Sequence, residues 1–272
     1  MRYGLLIRII LAIVITLCAV YYQRKTGPTY PIRGELSWQG SKIEFNLLRS
    51  HDGAGDQPVE ITIPDTSLNA FLVFRRLKAN EPWRMMKMQR NQDKLIAGIP
   101  HQPPAGKIEY YLIVSNTTDY LSIPQDQIVI TRFKGHVPIA ILIPHILFMF
   151  LAMLLSTLTG LEAMANGKFI YRFAILTTIL LFAGGMILGP VVQKLAFGQL
   201  WTGIPLGWDL TDNKTLIAML AWILALWKGR KGRYARLWII GAAVILLIVY
   251  SIPHSVMGSE LNYDNMQVET GT

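Results

Sequence analysis

The sequence predicts a membrane protein of mixed α and β structure, with an N-terminal anchor helix, an external all-β sandwich and a four-helix transmembrane bundle. Apolar stretches occupy residues 5–22, 137–158, 173–192, 216–227 and 237–252. A long polar stretch with strand-like alternation separates the first of them from the second. With 52% hydrophobic and 16% charged residues, the chain is too apolar for an average soluble domain.

Residues 1–24 are predicted to form an uncleaved signal anchor. Arg2 and Arg8 precede the apolar run, an arrangement that signal peptides and anchor helices share. No A-x-A cleavage pattern follows, and Leu17 stands where a lipobox needs a small residue before Cys18. A cleaved signal peptide remains the alternative. Because Cys18 is the only cysteine, an intrachain disulfide is impossible and the external domain must be held by its core alone.

The distribution of basic residues predicts the orientation in the membrane. The formal net charge of +9 would suggest a nucleic-acid partner in a soluble protein. Here the basic residues instead crowd the loop before the last apolar stretch, which contains no acidic residue. Because Lys and Arg mark cytoplasmic loops, this loop, the N-terminus and residues 159–172 are predicted to be cytoplasmic, in the inner membrane of a bacterium. The five basic residues are Lys228, Arg230, Lys231, Arg233 and Arg236.

The same reasoning places three segments outside, in the periplasm. They are the β-domain at residues 29–134, the loop at residues 193–214 and the acidic tail at residues 259–272. The lipid bilayer is therefore an expected partner, and nucleic acid is not.

The polar stretch at residues 29–134 reads as seven or eight short strands divided by turn residues, which fits a β-sandwich. The run WRMMKM from Trp83, followed by LIAGIPHQPPAGKIEYYLIV, resembles the closing strands of immunoglobulin-like and fibronectin-type-III-like domains. The resemblance implies a domain that presents a surface to a partner or serves as a spacer. Within this run, strand alternation predicts that Met86 and Met88 share one face and that Met85 lies on the other.

Residues 136–258 are predicted to form the four-segment bundle. The stretch 216–227 is short for a span, so its helix is expected to borrow residues from the loop before it. Gly184 and Gly185 indicate close helix packing. His145 has two interpretations, a functional intramembrane residue or a side chain that bonds a freed backbone carbonyl next to Pro144. Since buried Asp, Glu and Lys are absent from the spans at 138–158, 173–192 and 216–227, a transporter ranks third among the possible functions.

The loop at residues 193–214 is the candidate site because it combines glycine, proline, tryptophan and aspartate at one membrane face. Its polar residues stand just before a helix, where Asp, Asn and Thr cap the free N–H groups of the first turn. Trp201 and Trp208 fit interfacial anchors. The expected capping residues are Asp209, Thr211, Asp212 and Asn213.

The order Phe197-Gly198, Trp201, Trp208-Asp209 resembles the tryptophan-rich loop of the haem-handling proteins of cytochrome c biogenesis. The resemblance implies a haem that stacks on Trp201 and Trp208 near Asp209. Its iron would be held by histidines of the flanking segments. The chain departs from the pattern in its first aromatic residue, in the spacing of its tryptophans and in the missing second acid. A C-x-x-C-H attachment site is also absent. The candidate ligands are His136, His145 and His254.

The sequence thus predicts a non-enzymatic membrane protein without a metal site or cofactor, whose β-sandwich and loop dock a protein partner on the external face. A haem-handling or b-type haem-binding protein is the alternative. An enzyme is not expected, because no nucleophile, base and orienting group can be assembled from the spacing of the side chains. The expected partner-binding residues are Trp201, Gly203, Pro205, Trp208, Asp209 and Asp212.

Overall fold

The computed structural model describes residues 2–229, 234–254, 256 and 258–269. A long helix, α1 (Arg2–Thr26), leads into a domain of two sheets, which is followed by a group of helices and a short C-terminal hairpin. The end of the helices that carries the two-sheet domain is called the domain end below, and the opposite end is called the far end.

The two-sheet domain alternates its strands between a first and a second sheet. The first sheet has the order β1 (Ile32–Trp38), β2 (Ser41–Leu47), β4 (Gln57–Thr62), β8 (Lys94–Ile99), β7 (Gln89–Asn91). The second has the order β3 (Ser50–Asp52), β11 (Val129–Lys134), β9 (Lys107–Ser115), β5 (Asn69–Arg76), β6 (Arg84–Lys87), and β10 (Tyr120–Ile123) also pairs with β9. These strands pair antiparallel, with the exception of β3 and β11, which run parallel.

One hydrophobic core lies between the two sheets and draws on both. Ile61 of β4 and Leu95 of β8 meet Leu72 of β5 and Phe133 of β11 in the same buried cluster. Tyr110 of β9 is buried there too, and its hydroxyl donates to the Leu48 carbonyl at 2.7 Å, so this polar atom is satisfied. A shared core of this kind explains how the domain holds together without a disulfide.

The expectation for the methionines is wrong, because the predicted strand is broken in two. β6 belongs to the second sheet and β7 to the first, so Met88 lies where the chain crosses from one sheet to the other. Its N–H donates to the Ala70 carbonyl at 2.9 Å, and its side chain fills the core. Met85 and Met86 are both exposed on β6, and Met86 does not share a face with Met88.

The predicted apolar segments all form helices, of which three are long and apolar enough to cross a membrane in the part of the chain that the structure describes. These are residues Gly4–Thr26, Ile139–Met164 and Ile170–Phe197. The second is α2 (Ile139–Met164), and the third consists of α3 (Ile170–Leu181), a π-helical segment (Phe182–Leu188) and α4 (Gly189–Phe197). Two further helices are α5 (Leu210–Lys228) and the shorter α6 (Ala235–Ser251).

The two glycines of the π-helical segment allow the close packing that the sequence predicts. A Cβ on Gly184 would lie 2.9 Å from the Cβ of Phe148 on α2, and one on Gly185 would lie 2.8 Å from Cγ2 of Thr215 on α5. Side chains larger than hydrogen would therefore push both neighbouring helices away. The His145 ring fits the second of its two interpretations, since Nδ1 lies 2.9 Å from the Gly184 carbonyl of this irregular segment.

An ion pair at the far end joins α1 to α2. The Arg8 guanidinium donates through Nε to Oε1 of Glu162 at 2.8 Å, and Glu162 is fully buried. The sequence pattern assigns Glu162 to a loop, but α2 continues to Met164 and brings this carboxylate into contact with α1. The pair fixes the register of α1 against α2.

Candidate functional site

The loop of interest runs from the end of α4 to the start of α5, and both of its ends are capped. Gly198 closes α4 with φ at 88°, a left-handed conformation that glycine adopts without a steric penalty. Asp209 is the N-cap of α5, and its Oδ1 accepts from the N–H groups of Thr211 at 2.8 Å and Asp212 at 3.4 Å. The predicted capping role of Asp209 is therefore confirmed.

The second carboxylate oxygen of Asp209 binds a residue from the C-terminal segment. Oδ2 accepts from the Ser259 N–H at 3.0 Å and from the Ser259 hydroxyl at 2.9 Å. The Ser259 carbonyl in turn accepts a hydrogen bond from the guanidinium of Arg132, which lies on β11 of the two-sheet domain. These three residues, called the junction below, join the domain, the loop and the C-terminal segment.

Arg132 is the charged side chain that the two-sheet domain contributes to the junction, and it is 5% exposed. Its guanidinium lies 3.7 Å from the centroid of the Phe197 ring, a cation–π contact with the last residue of α4. Burial lowers the pKa of Arg132 to about 10, while the negative charges of Asp209 and Glu260 act in the opposite direction. Arg132 therefore stays protonated at neutral pH and keeps its attraction to Asp209.

A second buried carboxylate, Asp212, lies beside the junction and holds the loop onto α5. Its Oδ2 accepts from the Thr202 N–H at 2.6 Å and from Nε2 of Gln193 at 3.0 Å. The Thr202 hydroxyl lies 3.1 Å from the Ser259 hydroxyl, so this set of hydrogen bonds is continuous with the junction. Gly203 passes so close to α5 that a Cβ there would lie 2.7 Å from the Cβ of Asp212.

The C-terminal hairpin, β12 (Glu260–Asn262) and β13 (Gln267–Glu269), extends the junction along the two-sheet domain. The N–H of Leu261 donates to the Ala105 carbonyl at 3.0 Å. Glu260 accepts from Nζ of Lys107 at 2.7 Å and also from Nζ of Lys78. Burial tends to raise the pKa of Glu260, but the hydrogen bonds from the two lysines hold it below its usual value.

The apolar side of the loop faces outward. Leu206 is 76% exposed and Trp208 is 75% exposed, and Pro205 between the glycines is exposed as well. Trp201 is half-buried and donates its indole N–H to the Ile204 carbonyl at 3.1 Å, which stiffens the turn. The loop thus buries its polar groups in the protein and presents an apolar ridge, defined here as Ile204, Leu206 and Trp208, to its surroundings.

The structure divides the sequence-predicted partner residues into two groups. Asp209 and Asp212 are buried and engaged within the chain, and Gly203 is buried against α5. The exposed members are Pro205 and Trp208, with Trp201 between the two states. A partner would therefore contact the apolar ridge and not the carboxylates.

The three candidate haem ligands have different surroundings. His136 is exposed and makes no hydrogen bond or ring contact with any residue that the structure describes. His145 points Nδ1 at the Gly184 carbonyl, so that nitrogen carries the proton, and Nε2 of His254 lies 3.4 Å from Nε2 of Gln23. Within residues 2–229, 234–254, 256 and 258–269, no group of three or more His, Cys, Asp or Glu side chains is arranged to hold a metal ion.

These residues do not fit a haem enclosed by the loop. Trp208 is exposed, and the Trp201 indole N–H donates to the Ile204 carbonyl of its own turn. Both carboxylate oxygens of Asp209 accept hydrogen bonds from protein donors. The haem interpretation therefore rests on the sequence resemblance alone and stays a prediction.

Sequence reasoning missed four residues that build the site: Arg132, Gln193, Lys214 and Ser259. Lys214 is buried in the first turns of α5 and donates to the Ile252 carbonyl at 2.6 Å, which joins α5 to the end of α6. A weak signal existed for Lys214, since a lysine directly after a predicted cap begins an apolar helix. Nothing in the neighbouring sequence marks Ser259 or Arg132 as site residues, because these two residues bind each other across 127 residues of chain.

A scan against protein-family models gives no match, and a search of the curated proteins gives none either.

Proposed function

We propose that this chain is a non-enzymatic integral membrane protein that docks a protein partner through its external domain and the apolar ridge of its loop. The observation that carries the proposal is that the loop buries its carboxylates and exposes its apolar side chains. Its carboxylates are consumed by hydrogen bonds within the chain, whereas Leu206 and Trp208 are about three-quarters exposed. Exposed tryptophan on a rigid support is typical of residues that dominate binding energy at protein interfaces.

The two-sheet domain is, in this proposal, an immunoglobulin-like sandwich. The alternation of strands supports it: β2, β4 and β8 belong to one sheet, and β5, β6, β9 and β11 to the other. The core between the sheets supports it further. Sandwich domains of this architecture serve many unrelated functions, so the proposal rests on the loop and the junction and not on the fold.

The four-segment bundle would consist of α2, the α3–α4 segment, α5 and α6, with α1 as the anchor helix beside it, in a bacterial inner membrane with the domain on the periplasmic side. The cluster of Lys and Arg in the loop between α5 and α6 at the far end supports this orientation. α5 has 19 residues, so its length of about 28 Å approaches the roughly 30 Å of a bilayer core. Its Leu210 start also agrees with a helix that borrows from the loop.

The close attachment of the domain to the end of α4 supports a docking role. The Gly135 N–H, just after β11, donates to the Ala196 carbonyl at 2.9 Å, so the domain is attached to the end of α4 as well as to the loop. A Cβ at Gly135 would lie 2.2 Å from the Leu195 carbonyl oxygen. A surface held this closely loses little conformational entropy when a partner binds.

A photo-crosslinking residue at position 208, introduced into the full chain in living cells, tests the proposal. A protein adduct of one defined mass is expected from position 208. The matched control is position 227, because Trp227 is also exposed but lies at the far end. Once the partner is identified, Trp208→Ala should weaken its binding by about 2 kcal/mol, or roughly thirtyfold. Adducts with lipid alone, or an unchanged affinity, would reject the docking role.

A further inference from the structure

A groove runs between α5 and α6 at their far end, away from the junction. Its volume is about 450 Å³. The lining is apolar, with Leu224 contributed by α5 and Trp238 and Ile245 contributed by α6. Gly241 also lines it, and a Cβ on Gly241 would meet no atom within 4 Å, so the missing side chain leaves this part of the groove open.

The length of the groove matches the depth of one membrane leaflet. Its lining residues extend from Tyr234, the N-cap of α6, to Ile245. At 1.5 Å per residue this stretch is about 16 Å long, close to half of the roughly 30 Å hydrocarbon core. A groove of this depth accommodates an acyl chain that enters from the leaflet at the far end.

Aromatic and basic residues collect at the mouth of the groove. Lys228 lies one turn beyond Leu224 on α5, with Nζ 4.2 Å from the centroid of the Trp227 ring. Lys228 is thus the described cation that follows the lining residues Ala221 and Leu224 along the same face of α5. Trp227, Tyr234 and Trp238 are exposed near this mouth. Tryptophan and tyrosine are enriched in membrane proteins at the level of the lipid headgroups.

The charge at the mouth is uncompensated in the sequence. Residues 213–259 contain no Asp or Glu, whereas three further basic residues follow Gly229. Those residues, Arg230, Lys231 and Arg233, lie outside the described residues and are counted here for their charge in the sequence alone. Basic clusters next to grooves between membrane helices favour anionic lipid headgroups.

We propose that this groove binds one anionic phospholipid, with an acyl chain between α5 and α6 and the phosphate beside Lys228. The apolar lining selects a lipid tail, and the basic mouth selects its headgroup charge. This site is separate from the docking surface, so either proposal can fail without the other.

The test is native mass spectrometry of the full-length protein in detergent, titrated with dioleoyl phosphatidylglycerol or dioleoyl phosphatidylcholine. We expect a preference of about fivefold for the anionic lipid, since a lysine near the headgroup contributes about 1 kcal/mol to its attraction. Gly241→Leu should fill the groove and lower binding of phosphatidylglycerol several-fold. Val244→Leu is the matched control, because Val244 is exposed on the same helix but does not line the groove.

The charge is tested separately with the variant Lys228→Gln, which leaves the lining intact. It should remove most of the preference for phosphatidylglycerol while binding of phosphatidylcholine stays the same. Lys168→Gln in the other far-end loop serves as its control. Equal binding of the two lipids by the unaltered protein overturns the proposal, as does a dimer that buries the groove and excludes lipid. If Gly241→Leu does not yield folded protein, the Lys228→Gln variant decides the question.

Discussion

Removal of the Asp209 carboxylate should release the C-terminal hairpin from the domain. In Asp209→Ala the Ser259 N–H loses a charged acceptor at 3.0 Å, and the Ser259 hydroxyl loses one at 2.9 Å but keeps Thr202 as a neighbour. A hydrogen bond to a charged group contributes about 1.5–3 kcal/mol, and a neutral one about 1 kcal/mol. The hairpin should therefore dock less stably by about 3 kcal/mol.

Hydrogen exchange of the Leu261 amide measures this change. That N–H donates to the Ala105 carbonyl and is not altered by the substitution itself, so it exchanges when the hairpin lifts. A loss of about 3 kcal/mol predicts exchange about a hundredfold faster. The α5 cap is lost in the same variant at a cost of about 1 kcal/mol, which falls on α5 and not on the hairpin.

Ser259→Ala is the graded control for this experiment. It removes the hydroxyl but keeps the backbone N–H and carbonyl that bind Asp209 and Arg132. A loss of about 1.5 kcal/mol is expected, the lower figure for one hydrogen bond to a charged group, so that Leu261 exchanges roughly tenfold faster and not a hundredfold. If Asp209→Ala leaves the Leu261 amide as protected as before, or if Ser259→Ala has the larger effect, the junction does not hold the hairpin.

Two further results are expected. The folded-state pKa of Glu260 lies below its ordinary value of 4.5, so its contribution to hairpin docking is complete above pH 4.5 and is lost as the pH falls through the lowered pKa. Leu261 exchange, corrected for intrinsic rates, should therefore rise in acid, and Glu260→Gln should reduce that rise by the part that Glu260 contributes; a rise of the same size in the variant and the parent protein would contradict it. In the second experiment, detergent-purified protein supplied with haem should show no Soret band, and a band that disappears in His145→Ala would instead favour the haem alternative.

Elements are predictable from the sequence where the signal is local. The alternation in β4, β8 and β9 and the apolar runs of the helices depend on neighbouring residues, and all of them form the predicted type of element. The cap at Asp209 is local too. The short strands β3 and β10 and the hairpin β12–β13 were not predicted, because three or four residues carry too little pattern and are stabilised by their partners.

The assembly of the site could not be predicted, because it depends on contacts between residues that are far apart in the chain. Asp209 reads as a helix cap from its position, yet half of its hydrogen bonds go to Ser259, fifty residues later in the chain. Similarly, the sequence pattern places Glu162 in a loop, because nothing near it in the sequence indicates that Arg8 of α1 is its partner. The prediction for Met88 is wrong for another reason. Alternation of side chains applies to a continuous strand, but the chain passes from one sheet to the other at this residue.

The junction also has a consequence for the order of events during synthesis. Arg132 and Asp209 leave the ribosome well before Ser259, which follows the last helix. Until α6 has been made and residue 259 has reached the domain end, the Arg132 guanidinium lacks the carbonyl that it binds in the finished protein. The attachment of the domain to the helices is therefore completed at the end of biogenesis, and a chain interrupted within α6 would carry a folded domain that contacts the end of α4 but lacks the hydrogen bonds through Ser259.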